Sequence, residues 1–578
     1  MTASLERNQG WRCAVLLAVA ALLAVAALLA FRALQQRCVS PFWSLYGASW
    51  RRVLPDPQET QDFVVVGAGP AGLQWALLLQ ETRPAASILV LEAGAGPATF
   101  FRTAPWDRRL ISINKTGTRP HWSEEFRQRH DWHSLLGAPL LMREVTEEYL
   151  PPAEALVQYL EACATGLPIR YYSEVVALET ESSTGLCVLG LSDGVKVRAE
   201  QVVLCTGYRP REPSESITAF AEREAAQLYT YPHLPPKASF RNERVLVVGS
   251  GNAALEVARE VSGLTARTVL AGKRPALSCL THYPGNVRIK NLALYDQYAL
   301  KSVDVASLDF SGDTHCTGDD LGAIFACGAE GDESARPFDS VVYAGGFTCA
   351  RGKLVSCGSR DSKFPTRAGP FGQDLENPRV WYSGVLTHGL DYQLSSGGFI
   401  HGFRYMIRAQ LRRMQEMLGA RNGFAQRSYP DLETCVAALI RRLQQSAGLY
   451  QMQGVLFDIV WPTEGSQSLW AHVEEVPVAW LKTALPTCAG RACAAVGFAY
   501  PEQGKAWNFE ELFSPKRIGR FLRPVTRWCG TAEGTLPTST LFWGPEDPSM
   551  EWRSERIVGE LKEALRATLE QVKQEGDS

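Results

Sequence analysis

Three observations predict an α/β fold with parallel sheets. An apolar strand runs into a glycine-spaced turn and a helix from Asp62, the same unit recurs from Arg244, and two further apolar strands each end in a small-residue and glycine step. Phe63-Val64-Val65-Val66 is a short β-branched and aromatic run without polar alternation, the pattern of a strand buried on both faces. Gly67-Ala68-Gly69-Pro70-Ala71-Gly72 follows at once, and Leu73 to Gln80 is helix-forming. Each glycine answers a mechanical need: Gly67 permits the tight turn, Gly69 lets backbone approach a pyrophosphate, and Gly72 lets the helix pack closely on the strand. Phosphate then rests on the helix N-terminus, where N–H groups and the helix dipole favour negative charge. A second strand, Ser87 to Leu91, ends in Glu92, 20 positions after Gly72, where a carboxylate accepts hydrogen bonds from a ribose diol. Strand, glycines, helix, strand and acid in register make a Rossmann-like, dinucleotide-binding unit, with Gly67, Gly69, Pro70, Ala71, Gly72 and Glu92 at the nucleotide.

The second unit begins with a strand from Arg244 to Val248. Gly249-Ser250-Gly251-Asn252-Ala253-Ala254 is its phosphate loop, with alanine in the third place, and a helix runs on from Leu255. Gly249, Gly251, Asn252 and Ala253 are expected at this second nucleotide. The next strand, Thr268 to Ala271, ends in Gly272-Lys273-Arg274, and no carboxylate stands where Glu92 stands in the first unit. Cations at that spacing suit a 2′-phosphate, so Lys273 and Arg274 point to NADPH rather than NADH; the competing reading leaves them solvated. Two loops, 182 positions apart from Gly67 to Gly249, imply a flavin and a nicotinamide in adjoining domains, with FAD in the N-terminal one. Val202 to Tyr208, carrying Thr206 and Gly207, and Val341 to Phe347 have the form of the segments where a chain leaves and re-enters a flavin domain. The expected organisation is an FAD-binding domain at 59–211 and 340–424, with an NADPH-binding domain at 212–339 inserted in it. The fold class is therefore α/β with two Rossmann-like domains, an N-terminal transmembrane helix at one end and a C-terminal α+β extension at the other.

Residues 1–58 read as a signal anchor and linker. Ala14 to Phe31 is 18 apolar residues without a charge, and a spanning helix needs roughly 17 to 25 where a cleaved signal has an apolar stretch of about 7 to 15. Arg7 and Arg12 precede the run while Arg32, Arg37, Arg51 and Arg52 follow it, a charge count that leans toward a cytoplasmic body. Residues 425–578 form the C-terminal domain, which has no nucleotide loop but holds seven of the fifteen tryptophans, a core or a docking surface. Ile557, Val558, Leu561, Leu565, Leu569 and Val572 repeat at helical spacing and predict a final amphipathic helix.

Composition excludes several functions. With 59 Lys and Arg against 61 Asp and Glu, no net positive field exists to hold a phosphate polymer, so nucleic acid is not expected as a partner. Fourteen cysteines are scattered without any Cys-x-x-Cys, which disfavours a zinc ribbon and a thioredoxin-type pair, and no metal is expected.

Four longer strings carry a resemblance: Leu110-Ile111-Ser112-Ile113-Asn114-Lys115, Arg129-His130-Asp131-Trp132-His133-Ser134-Leu135-Leu136, Gly397-Gly398-Phe399-Ile400-His401-Gly402-Phe403-Arg404-Tyr405 and Gly448-Leu449-Tyr450-Gln451-Met452. They resemble the family of FAD-dependent oxidoreductase domain-containing protein 2, the endoplasmic reticulum flavoprotein associated with degradation. That family lies in the wider flavin monooxygenase-like and pyridine-nucleotide-disulfide reductase-like group. The resemblance implies a flavoprotein of the secretory pathway that uses FAD and NADPH, with its body in the lumen and partners in protein quality control. It places Lys115, Gly397, Gly398 and Phe399 at the cofactor and makes His401 and Asn114 the candidate catalytic residues, His401 having a core hydrogen-bonding role as its alternative. Two departures stand out: the chain ends Glu575-Gly576-Asp577-Ser578 without an acidic-Leu retention tail, so a membrane anchor takes over retention, and the aromatic-x-Gly-x-x-x-His fingerprint of flavin monooxygenases is absent between Pro210 and Val248. The expected function is an FAD-dependent oxidoreductase drawing electrons from NADPH and passing them to a partner's disulfide. A flavin monooxygenase and a flavin-stabilised adaptor without turnover are the alternatives.

Overall fold

The computed structural model describes residues 59–249, 251–272, 291, 305–309, 337–349, 354–359, 362–391, 395–420, 423–463, 469–481, 492–499, 523–529, 540–541 and 555–576. The expected anchor at 14–31 lies outside them, as do Lys273 and Arg274; among the described residues no helix is long and apolar enough to cross a membrane.

The first sheet is built on β1 (Gln61–Val66), flanked by β2 (Ile88–Leu91) and β3 (Ile169–Arg170) on one side. On the other side lie β6 (Lys196–Leu204) and then, antiparallel, β5 (Cys187–Leu191) and β4 (Val175–Thr180), while β14 (Val380–Tyr382) returns from far along the chain to pair parallel with β6. Alternate residues of β1 feed different cores: Phe63 and Val65 pack with the first helix, Val64 and Val66 with Val202, Leu204 and Tyr382 on the opposite face. This two-sided burial is why the strand reads as an unbroken apolar run. The first helix, α1, spans Pro70–Thr82, so it begins three residues before the expected Leu73. Proline fits that first position because its missing N–H would have no intrahelical partner there and its φ is already helical. Leu73, Trp75, Ala76 and Leu79 are fully buried between the sheet and the long helix α4 (Ile400–Met417). Trp75 Nε1 donates to Ser383 Oγ at 2.7 Å, which ties α1 to the residue following β14.

The second sheet is wholly parallel, in the order β11 (Val305–Asp309), β10 (Arg267–Gly272), β9 (Arg244–Val248), β12 (Ser340–Tyr343) and β8 (Gln227–Thr230). Helix α3 (Asn252–Val261) covers it, burying Ala254, Leu255, Val257, Ala258 and Val261. A two-residue antiparallel pair, β7 (Arg209–Pro210) with β13 (Phe347–Thr348), links the outgoing and returning segments between the sheets.

The third sheet is antiparallel, in the order β15 (Arg427–Tyr429), β17 (Trp470–Pro477), β16 (Leu456–Pro462), β18 (Cys493–Ala499), β19 (Arg523–Cys529) and β20 (Thr540–Leu541). The final helix, α6 (Glu555–Gly576), seats Leu561, Leu565, Leu569 and Val572 in one core with Cys435, Val436 and Leu439 of α5 (Leu432–Gln445). The other face of the third sheet joins the first domain's core: Phe457, Trp461, Val473, Val476 and Trp480 pack with Phe403, Tyr405 and Ile407 of α4. Helix α2 (Ala153–Ala164) adds Leu156, Tyr159 and Leu160 to that core.

Candidate functional site

The first glycine loop has the geometry its sequence calls for. Gly67 sits at φ +102°, a conformation that L side chains rarely adopt, and a Cβ there would lie 2.6 Å from the Cys205 carbonyl oxygen. A Cβ on Gly72 would stand 1.8 Å from the Gly67 oxygen, so helix and turn can meet only at glycine. Gly69 differs: nothing lies within 4 Å of where its Cβ would be, and it is the N-cap of α1, which has no side-chain cap and no acid in its first turn. An open backbone cradle at an uncapped helix start is the form an anion-binding loop takes. Glu92, 7% exposed, accepts from Ala68 N at 2.7 Å, Gly94 N at 2.8 Å and Thr99 Oγ1 at 3.0 Å. Three donors leave capacity on a carboxylate that offers about four lone-pair sites. Cys205-Thr206-Gly207 closes the same crevice: Gly207 has φ +64°, and the buried Thr206 Oγ1 has no hydrogen-bond partner among the described residues. A cradle, a carboxylate with spare capacity and an unmatched buried hydroxyl fit the ADP half of FAD.

The second loop repeats the first. Gly249 sits at φ +144° with its notional Cβ 2.5 Å from the Ala344 oxygen, Gly251 has nothing within 4 Å among the described residues, and Ala254 in the third place is fully buried. Asn252 opens α3 and accepts from Asn291 Nδ2 through its backbone oxygen at 3.3 Å and Oδ1 at 3.2 Å; Ala253 is half-buried beside it. These residues fit a second pyrophosphate.

The turn between β14 and α4 is where the expected diglycine sits. Gly384 has φ +64° and its notional Cβ would come within 2.5 Å of Ala71 Cβ, so this turn rests on the first glycine loop. His388 Nδ1 lies 3.0 Å from Asp391 Oδ1, Ser395 Oγ donates to Asp391 Oδ2, and Gly397 N donates to Ser395 Oγ at 3.0 Å. Gly397 and Gly398 are small because of these groups: a Cβ on the first would sit 2.3 Å from the Asp391 carboxylate, and on the second 2.8 Å from the His388 ring. Burial pushes the Asp391 carboxyl up, against the pull of His388. Sequence reasoning missed His388, Asp391 and Ser395, which match no motif; the one signal was the pair of adjacent glycines. Phe399 is the N-cap of α4, which also lacks a side-chain cap.

A model of the pyridine nucleotide-disulphide oxidoreductases matches residues 64–363. The chain is 31% identical over 458 residues to the FAD-dependent oxidoreductase domain-containing protein 2 of Mus musculus, covering 73% of this chain and 67% of the relative. It belongs to that family. The Danio rerio protein of the same name is 28% identical over 558 residues, 83% of this chain and 76% of the relative. Among solved structures, a flavin-containing monooxygenase from Stenotrophomonas maltophilia covers 62% of this chain and 100% of its own at 18% identity and a TM-score of 0.45.

The FAD-dependent oxidoreductase places the remaining candidates as follows. His401, 5% exposed in the first turn of α4, is stacked between Trp132 at 5.0 Å and Phe399 at 5.5 Å, with Nδ1 3.4 Å from the Trp132 oxygen. Asn114 is buried and tied on both sides, Nδ2 donating to Thr146 O at 2.7 Å and its backbone N to Tyr149 O at 2.8 Å, while Lys115 is exposed. Arg404 is committed to main chain, donating to the carbonyls of Ser134 at 2.5 Å, Gln128 at 2.7 Å and Asp131 at 2.8 Å. A disulfide joins Cys349 to Cys357, whereas Cys163, Cys187, Cys205 and Cys435 are buried thiols. Burial pushes Cys163 up to about 11, Cys435 to about 12 and Cys205 further still, so none of these three is a thiolate at neutral pH.

Proposed function

We propose that this FAD-dependent oxidoreductase takes electrons from NADPH and delivers them to the disulfide of a protein partner. The observation that carries the reading is the paired open cradle, Gly69 at the head of α1 and Gly251 at the head of α3, in two separate parallel sheets of one chain. When bound, FAD supplies hydride acceptance and two-electron transfer. The chain's part is to hold and orient. The α1 N–H groups and the Gly67-to-Gly72 backbone take the flavin nucleotide's pyrophosphate, Glu92 its ribose, and the Gly249-to-Ala254 loop the nicotinamide nucleotide's pyrophosphate. Lys273 and Arg274 select the 2′-phosphate by charge-assisted hydrogen bonds. The net reaction, NADPH, a proton and a disulfide giving NADP⁺ and two thiols, balances without oxygen. Two features support a disulfide as acceptor in a lumen: the Cys349–Cys357 bond suits an oxidising compartment, and the flavin monooxygenase fingerprint is absent. Retention by the Ala14-to-Phe31 segment in the endoplasmic reticulum membrane, and partners from its quality-control machinery, complete the proposal.

Anaerobic titration of the purified protein with NADPH tests it. Stoichiometric bleaching of the flavin band, with NADH at least tenfold less effective, is the expected result. A flavin reduced equally by both nucleotides removes the roles of Lys273 and Arg274, and one reduced by neither leaves the oxidoreductase reading without its donor.

A further inference from the structure

The most anomalous polar group among the described residues is His133. Its side chain belongs to a residue 3% exposed, and neither Nδ1 nor Nε2 has a hydrogen-bond partner among the described residues. Its neighbours in the chain are, by contrast, fully committed. Asp131 accepts from His133 N at 3.1 Å and from Ser134 N at 2.8 Å and Oγ at 2.6 Å, Ser134 O accepts from Arg404, and Leu135 N donates to Tyr159 Oη at 2.7 Å. A backbone so tightly held fixes the point from which the imidazole projects. Native proteins pair buried polar atoms, and an imidazole left with both nitrogens unmatched marks a place where a ligand completes the set.

The position of that setting identifies the ligand. The 131–136 segment is strung between the N-terminal parts of two helices. Leu136 exchanges hydrogen bonds with the Gln74 side chain of α1 in both directions, N to Oε1 at 2.7 Å and Nε2 to O at 2.9 Å. His401, in the first turn of α4, and Arg404, at the start of its second, hold Asp131, Trp132 and Ser134 at the other end. A dinucleotide whose pyrophosphate rests on the α1 N-terminus has its adenosine toward Glu92, at the end of β2. Its other half must leave in the opposite direction, toward β6, β14 and the turn that opens α4. His133 sits in the segment that joins α1 to α4, the helix whose preceding turn faces the first glycine loop through Gly384 and Ala71.

We propose that His133 is a cofactor-contacting residue whose neutral imidazole hydrogen-bonds the ring half of bound FAD. This rests on the FAD reading above. Burial pushes its imidazole down to about 4, with Asp131 opposing and Arg404 reinforcing, so at neutral pH it carries one N–H donor and one bare nitrogen acceptor. The flavin ring edge is chemically matched, having carbonyl and ring-nitrogen acceptors and one N–H donor.

The test uses the full chain with FAD and three variants: His133→Leu and His133→Met, which remove both polar atoms, and His133→Gln, which keeps a donor and an acceptor. Flavin content, the shape of the visible absorption band and the two-electron potential by dye equilibration with dithionite are read for each. We expect the apolar variants to move the balance between oxidised and reduced flavin at least tenfold, about 30 mV for a two-electron couple, and the glutamine variant to return most of that shift. A folded apolar variant that loses flavin while the glutamine variant keeps it carries the same meaning. If either folded apolar variant matches wild type in spectrum and potential, or if glutamine fails as badly as leucine, His133 is packing and the proposal falls. A wild type that never takes up FAD defeats the parent reading instead, and one that binds FAD but ignores NADPH defeats only its donor, because dithionite supplies the electrons here.

Discussion

Two regions of this molecule treat their polar groups in opposite ways. In the glycine cradles, backbone N–H groups at the heads of α1 and α3 face outward uncapped, and the side chains that could fill the space are missing. Beneath the third sheet, charge is instead buried and paired. Glu475, 1% exposed, meets Arg408 at 2.5 Å and Arg442 at 3.1 Å, with Arg412 at 3.5 Å. Asp458, fully buried, meets Arg442 at 2.8 Å and His472 at 3.2 Å. The network bridges α4, α5 and the third sheet, and its two carboxylates find their partners within the chain. The lesson is that a buried group whose partners are all in the chain is architecture, whereas one left open marks a ligand's place.

Breaking the saturated region should have the largest effect. Glu475→Ala leaves three arginines around an uncompensated site and should cost about 3–5 kcal/mol in denaturant unfolding, with loss of colour only as the fold is lost. Acid should act on the same group. Burial works to raise the Glu475 carboxyl, but Arg408, Arg442 and Arg412 outweigh it and hold it at about 2, below its unfolded value. Its contribution is therefore full above about pH 4.5 and is lost as pH falls toward about 2, roughly 1.4 kcal/mol for each pH unit of the depression. A melting temperature that is flat across that range would separate the network from stability.

Two glycines of the first loop, Gly69 and Gly72, sharpen the contrast. Gly72→Val drives a side chain into the Gly67 carbonyl and should unfold the domain or lower its melting temperature steeply. Gly69→Val meets nothing in the protein, so the apoprotein should melt as wild type does while FAD affinity falls roughly hundredfold, about 2.7 kcal/mol, by filling the pyrophosphate's place. Flavin fluorescence against added apoprotein measures the second; a yellow Gly69→Val protein would remove the cradle from the site. Trp75→Phe should be milder, about 1–2 kcal/mol, since it deletes the bond to Ser383 and leaves a buried hydroxyl short of a partner. The smallest effect is expected from iodoacetamide at pH 7. Cys163, Cys187, Cys205 and Cys435 are all buried, so NADPH-to-flavin transfer should continue unchanged in the alkylated protein.

What could be read in advance follows sequence distance. The strands, both glycine loops and Glu92 lie within stretches of about thirty residues, and each residue's reason is local: a turn that needs positive φ at Gly67, a close approach at Gly72, a strand end at Glu92. The same locality made the face of α6 legible, because Leu561, Leu565 and Leu569 share one side of any helix they occupy. Neither the His388–Asp391–Ser395 cluster nor the unmatched His133 showed in this way. A histidine three residues before an aspartate is unremarkable until Gly397 and Gly398 fold back over the pair. The sequence alone determined that the chain builds two strand–glycine-turn–helix units, since strand, turn and helix specify one another over a few residues. Only the tertiary structure decided which buried charges would be partnered. Arg408 and Glu475 are 67 residues apart, and so are joined by packing that no local pattern encodes.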